Sequence, residues 1–451
     1  MSYTNDIASF AATFDLSDIP DHVSGRALAL ATDLIGSAIR AAKESESTPA
    51  VLAMIQRLGL TGGADCTVFG MDRRYGPAAA ALLNGALGHS LDFDDTHAES
   101  SLHPSAPVVP AALAAAEITG ATGKELLGAI VLGLEITCRL GVALDPAAHY
   151  ARGFHPTATA GVFGAAVAAG RLLKLETHQM ISAFGTAASQ AAGSLQFLVN
   201  GAWNKRYQVG EASMKGLIAA TLAAEGFEGA IDAIDGKHGF LSAYSDGADP
   251  HRAAAGLGQI WETMRIGVKP YPACRYTHAA VDGLLALRRQ LDLTPADIES
   301  ITIGLHRNGI VLVGDPMGEK RRVRAIVDGQ FSMPFAAAVA IIRGRFGWDD
   351  YDLIGAEVAD DLSDRVTVVR DELLEGHSHP FGAIVKLRAR GELHRMLIAD
   401  PSGEPASFPD DDAIATKFHI LASPVMNGEE GALLLKIRSL PEADNMRNWF
   451  K

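Results

Sequence analysis

The feature that most constrains this chain is the texture of its first 265 or so residues. Four stretches, 78–83, 111–118, 161–173 and 214–224, are dominated by Ala and other small residues, with apolar positions recurring three and four apart. That spacing closes one face of a 3.6-residue helix. Small side chains let helix axes approach closely, so the pattern predicts an Ala/Gly-rich, all-helical bundle. Aromatic residues make up only 6% of the chain, in keeping with a core of Ala, Leu, Ile and Val. No period of 20 to 50 residues recurs, which argues against a solenoid.

The texture changes at 267–272, where GVKPYP sets two prolines within three residues and stops any helix. A helix is predicted over 277–291, followed by β-branched alternation at 298–306 and a short strand at 365–369. Two further strands over 383–398 turn at Arg390-Gly391, and a helix at 330–343 lies among them. The sequence is helical again at 411–422 and 430–437. The predicted organisation is mainly α. A helical domain takes 1–268, an inserted α+β domain 269–400, and a helical tail, 401–451, returns to complete a discontinuous first domain.

The 451 residues carry 39 Lys+Arg against 53 Asp+Glu, a formal charge of −14. An acidic sum argues against nucleic acid or an anionic membrane as the main partner, yet allows a small anion in a locally basic pocket. Cys66, Cys138 and Cys274 are far apart in the chain and form no disulfide framework or zinc knuckle pattern. No secretory signal is visible, and no uninterrupted apolar stretch reaches 18 residues. The expectation is a soluble cytoplasmic protein.

Four motifs gather chemistry-bearing groups. In GHSLDFDDTH (88–97), Asp92, Asp94, Asp95, Thr96 and His97 are followed closely by His103. The segment reads as a helix-capping turn, an acid–base or substrate contact, or a divalent-metal site, and residue types alone leave all three open. His155 lies in RGFHPTATAG, just ahead of a helix of small residues capped by Thr157 or Thr159. Its place suits carboxylate binding at a positive helix end, or a structural hydrogen bond. NKRYQVG offers Lys205 and Arg206, either to an anion or to solvent. KPYPACRYTH places Lys269, Tyr271, Arg275, Tyr276 and His278 on the predicted hinge, and ligand pockets favour domain boundaries. The run Lys320–Arg324 reads as a solvated loop. Dinucleotide, Walker, nucleophile-elbow and zincin motifs do not occur. Separate His, Asp, Lys and Tyr groups fit proton transfer better than nucleophilic or redox chemistry.

Together these motifs resemble the MmgE/PrpD family. The matching stretches are 89–110 (HSLDFDDTHAESSLHPSAPVVP), 153–175 (GFHPTATAGVFGAAVAAGRLLKL), 190–226 around NKRYQVG, 269–282 (KPYPACRYTHAAVD) and 330–335 (QFSMPF), in the family's order over nearly the whole chain. The resemblance implies a discontinuous helical domain with a smaller α+β lid, an active site in the cleft between them, and a homodimer. It implies no metal or organic cofactor, and a small di- or tricarboxylate as substrate. Catalytic roles would fall to His103, His155, Asp92, Lys205 and Lys269, and substrate contacts to Thr96, Arg206, Arg275, His278 and Tyr271. In that scheme the cations bind carboxylates, His103 and His155 exchange a proton, and Asp92 orients an imidazole. Family members dehydrate 2-methylcitrate, decarboxylate cis-aconitate or epimerise iminodisuccinate. A dehydratase is the expected reaction here, with an epimerase as the alternative; a decarboxylase and a catalytically silent polyanion-binding scaffold follow behind. Two positions depart from the family pattern. Many relatives have His where this chain has Gln208, and decarboxylases and many dehydratases resemble one another in carrying Tyr where it has Phe335.

Overall fold

The computed structural model describes residues 2–63, 65–375 and 381–451. It is mainly helical, with a small mixed sheet. The chain divides into two compact units: Met1–Ser90, Asp94–Val268 and Pro409–Lys451 form one, and Leu91–Phe93 with Lys269–Phe408 form the other.

The first unit is built from helices whose ends follow local chemistry. Proline opens Pro77–Gly88 and Pro156–Leu172, where a missing N–H costs nothing. A reciprocal Thr122–Glu125 capping box opens Gly123–Ala143. Gly120, at φ 72°, ends Ser105–Thr119 in a left-handed turn. Pro156–Leu172 packs against Ser105–Thr119, Gly123–Ala143 and Asn204–Ala224, and the last of these also packs on Pro77–Gly88.

Small residues make these crossings possible. A Cβ on Gly216 would come within 2.7 Å of the Val162 carbonyl oxygen and the Ala166 nitrogen, and nearer still to Ala165 Cβ. The axes of Asn204–Ala224 and Pro156–Leu172 therefore meet nearly backbone to backbone. Gly123–Ala143, 21 residues with an 18-residue window of mean hydropathy 1.8, is long and apolar enough to cross a membrane, yet all of that window is buried within the protein. It also carries a buried Glu135–Arg139 pair at 3.3 Å, as suits a core helix. The returning helix Asp411–Met426 lies on Asp21–Glu44, pinned by Lys417 Nζ to Asp33 Oδ1 at 2.7 Å.

Helices do not account for all of the first 268 residues. Thr96–His97 pairs antiparallel with Ile266–Gly267, and His97 also exchanges backbone hydrogen bonds with Leu102. Asp, Ser and Thr compete with the helix for backbone groups, and this Asp-rich stretch leaves the helix at His89.

In the second unit the sheet order is Val366–Arg370, Ile298–Leu305, Ala383–Ala389, Glu392–Ile398. The first pair is parallel and the other two antiparallel. The hairpin turns at Arg390 (φ 51°) and Gly391 (φ 80°), conformations a two-residue β-turn requires. The helix expected over 330–343 begins later, at Met333, because Ser332 caps it by accepting from the Phe335 N–H and Pro334 occupies its first turn. Helix His278–Leu291 packs on the last two strands of the sheet.

Candidate active site

In the helical unit, three imidazoles converge. The His89 and His103 ring centroids lie 4.9 Å apart, edge to face, and His89 stacks on His155 at 5.9 Å. His89 ends Pro77–Gly88, His103 precedes Ser105–Thr119, and His155 stands at the N-terminus of Pro156–Leu172. The helix packing thus brings together residues far apart in sequence. Thr157 and Thr159 do not cap that last helix. Thr157 Oγ1 accepts from the His103 backbone N–H at 3.1 Å, and Thr159 Oγ1 meets His149 Nε2 at 2.9 Å.

Hydrogen bonds fix the protons on two rings. His103 Nδ1 lies 2.7 Å from the Asp95 carbonyl oxygen. A carbonyl only accepts, so Nδ1 carries the proton, and neutral His103 holds its lone pair on Nε2. His89 Nδ1 meets Asp94 Oδ2 at 2.6 Å and donates to that carboxylate. His103 keeps 14% of its side chain exposed, while His89 and Asp94 keep none, so His103 is the group of the three that reaches a solute. Asp95 accepts from the Ser105 hydroxyl and, at 3.3 Å, from the Ser105 N–H. Burial, and then the Asp94 charge beside it, push the Asp95 carboxyl well above the usual carboxylate range.

His89, Asp94 and His103 offer atoms within 4.8 Å of one another and would be the groups to hold a divalent ion. With both Nδ1 atoms donating, one to a carboxylate and one to a carbonyl, each imidazole would face an ion or a substrate proton through Nε2. His97 is fully buried between Ser100 Oγ (2.7 Å) and Glu262 Oε2 (3.0 Å), a structural arrangement. Thr96 stands in the short ladder, its hydroxyl buried. Lys205, half-buried, and Arg206, buried, lie in the first turn of Asn204–Ala224. Arg206 reaches the Ser45 and Ser47 hydroxyls at 3.4 and 3.5 Å.

The second unit has its own polar cluster. Lys269 is buried, with Nζ 2.8 Å from the Asp92 carbonyl oxygen and 3.1 Å from its carboxylate. Asp92 sits at φ 52°, a conformation that side chains other than Gly rarely adopt. Gln330 Nε2 donates to the Leu91 carbonyl at 2.8 Å, so the segment Leu91–Phe93 is tied down at both residues. Asp94 and the Asp95 carbonyl each hold an imidazole Nδ1, and the Asp92 carboxylate meets Lys269.

The other hinge residues serve one another. Arg275 Nε and Nη2 both donate to Glu404 Oε1, and its Nη1 donates to His278 Nδ1 at 3.0 Å. His278 Nε2 donates to the Ala273 carbonyl at 3.0 Å. Burial, then the Arg275 charge, lower the His278 pKa well below the ordinary imidazole value. Both of its nitrogens are engaged and the ring is neutral. Tyr271 donates to Asp282 at 2.6 Å, and burial together with that carboxylate raises its pKa. Arg275, His278 and Tyr271 each have an internal hydrogen-bond partner.

Residues 5–253 match the MmgE/PrpD N-terminal domain model, and residues 271–439 match the MmgE/PrpD C-terminal domain model. The chain belongs to the MmgE/PrpD family. A cis-aconitate decarboxylase-like protein of Aspergillus oryzae is 29% identical over 94% of this chain and 92% of its own length. A cis-aconitate decarboxylase of Aspergillus terreus is 30% identical over 82% of this chain and 78% of its own. Human cis-aconitate decarboxylase is 32% identical over 50% and 47%.

Within this MmgE/PrpD chain, sequence reasoning passed over His89 and Glu404 and noted Gln208 only as a departure. His89 heads the same acidic motif, five residues before Asp94, and that spacing was its one visible signal. Glu404 gave none, since its Arg275 partner lies 129 residues away.

Proposed function

We propose that this protein is an acid–base lyase acting on a small di- or tricarboxylate, working as a cytoplasmic homodimer with its own side chains as catalysts. The observation that carries the reading is the His103 tautomer. Its Nδ1–H is committed to the Asp95 carbonyl, which leaves Nε2 on the partly exposed ring as a base. In the dehydration we favour, His103 takes the proton from a carbon next to a carboxylate. The C–H pair becomes the double bond, the β-hydroxyl leaves, and His103 returns the proton to it as water. Negative charge develops on the carboxylate as the proton departs, and a hydrogen-bond donor such as His155 stabilises it. Lys205 and Arg206 supply cations on the same helix as Gln208.

Loss of CO₂ is the second reading, favoured by the names of the relatives. There the C–CO₂ bond breaks, and protonated His103 delivers its proton to the carbon left behind. Phe335 weighs against it, because it is buried and stacked on Tyr351 at 5.8 Å and lacks the Tyr hydroxyl, a plausible proton donor, that decarboxylases and many dehydratases resemble one another in carrying there.

The test incubates the protein with citrate, 2-methylcitrate and cis-aconitate in D₂O. New alkene absorbance from a hydroxy acid supports dehydration, and CO₂ release from cis-aconitate supports decarboxylation. Solvent exchange without loss of either would replace both with epimerisation. No reaction with any polycarboxylate would end the lyase reading.

A further inference from the structure

Gln208 occupies the position at which this chain departs from many relatives, and the structure gives it a task. Its side-chain Nε2 lies 2.7 Å from His155 Nδ1, and both residues are buried. An amide nitrogen only donates, so Nδ1 must present a lone pair and the ring's single proton must sit on Nε2. Protonating Nδ1 would set two N–H groups against each other in a buried site, a conflict a buried polar pair resists. The bond is held from several sides. The His155 backbone N–H donates to the Gly193 carbonyl at 3.0 Å. A Cβ at Gly193 (φ 152°) would stand 2.8 Å from Ala158 Cβ and 3.5 Å from Gln208 Cδ, so the loop closes directly over the pair. The His155 ring is stacked on His89 and meets Phe197 edge-on at 5.9 Å.

We infer that Gln208 is a positioning residue that holds His155 neutral, with its proton on Nε2, so that His155 serves as a hydrogen-bond donor to developing charge and not as a second proton carrier. The catalytic half of this statement rests on the lyase reading above; the tautomer half does not. A site with one proton-carrying imidazole, His103, suits removal and return of a proton on one face. It disfavours epimerisation, which needs proton transfer on two faces.

The test reads the ring directly. Nitrogen-15 spectra of histidine-labelled protein without substrate, with His155 assigned by comparison with His155→Gln, should show Nδ1 unprotonated and Nε2 protonated at neutral pH. Gln208→Glu puts an acceptor against Nδ1 and should move the proton there. Gln208→His, which can still donate a ring N–H, should keep the wild-type pattern. On a turned-over polycarboxylate, Gln208→Glu should lower kcat about 10²-fold, the scale of losing one donor to developing charge, with KM changed only a few-fold. A protonated Nδ1 in the wild-type spectrum overturns the inference whatever the activity, and needs no variant to fold. An unprotonated Nδ1 in a protein that turns over no polycarboxylate upholds the tautomer and ends the lyase reading alone. Epimerisation with wild-type kcat in Gln208→Glu would overturn the donor role.

Discussion

Gly216→Ala tests whether helix packing itself sets the site. Gly216 lies in Asn204–Ala224, two turns beyond Gln208, where that helix crosses Pro156–Leu172. The added Cβ would lie 2.7 Å from Val162 O and from Ala166 N, and closer to Ala165 Cβ. Carbon–carbon contacts settle at about 3.5–4.0 Å, so the helices must part by about 1 Å. Overpacking of this kind costs about 1–3 kcal/mol. The same displacement acts on the 2.7 Å bond from Gln208 to His155, and about 1 Å more takes it past the ~3.5 Å at which a hydrogen bond fails. A misplacement of that size can cost about 10²-fold in rate. The expected result is a lowered unfolding midpoint in urea together with a kcat loss of that order, while Ser or Ala changes on exposed faces of the same helix do neither. A Gly216→Ala protein that unfolds and turns over like wild type would refute the claim that close approach of these helices positions His155.

His103→Ala should lower kcat at least about 10²-fold, the usual worth of a general base, with the circular dichroism spectrum unchanged; near-normal turnover would remove His103 from the mechanism. Lys269→Met leaves the Asp92 carboxylate buried without its cation and should destabilise the fold by about 3–5 kcal/mol, read by chemical denaturation. Adding Asp92→Asn should recover part of that loss. Asp95→Asn follows from linkage. The folded-state pKa of Asp95 is raised, so from about pH 4, where the unfolded carboxyl ionises, up to the folded pKa, the folded state binds more protons than the unfolded state. Wild-type stability therefore falls as pH rises through that window, by up to about 1.4 kcal/mol per unit. The Asn variant lacks this penalty, since Ser105 can reverse its hydroxyl to accept from the amide. Its gain over wild type should grow with pH above 4 and vanish below, and a gain independent of pH would refute the burial argument.

Much of the fold was legible because its signals are local. Apolar spacing in the Ala-rich stretches, proline and glycine at helix ends, and alternation at Ile298–Leu305 each act within a few residues. The ladder of Thr96–His97 with Ile266–Gly267 was not legible, since pairing across 170 residues leaves no trace in either two-residue strand. The site divides in the same way. Its residue types and order in the chain point to the MmgE/PrpD family and to proton transfer, and they single out His103 and His155. Which groups meet was decided by the fold alone. Asp92 and Asp94 are two residues apart, yet one binds Lys269 and the other His89. Arg275 and His278 look poised for an anion in sequence, and the fold gives each an internal partner as well. Gln208 looks inert by residue type and instead determines where a proton sits. Sequence determines which chemistry is available and which helices form. Only packing brings distant side chains to hydrogen-bonding distance, and at that distance burial makes the identity of donor and acceptor decide the charge.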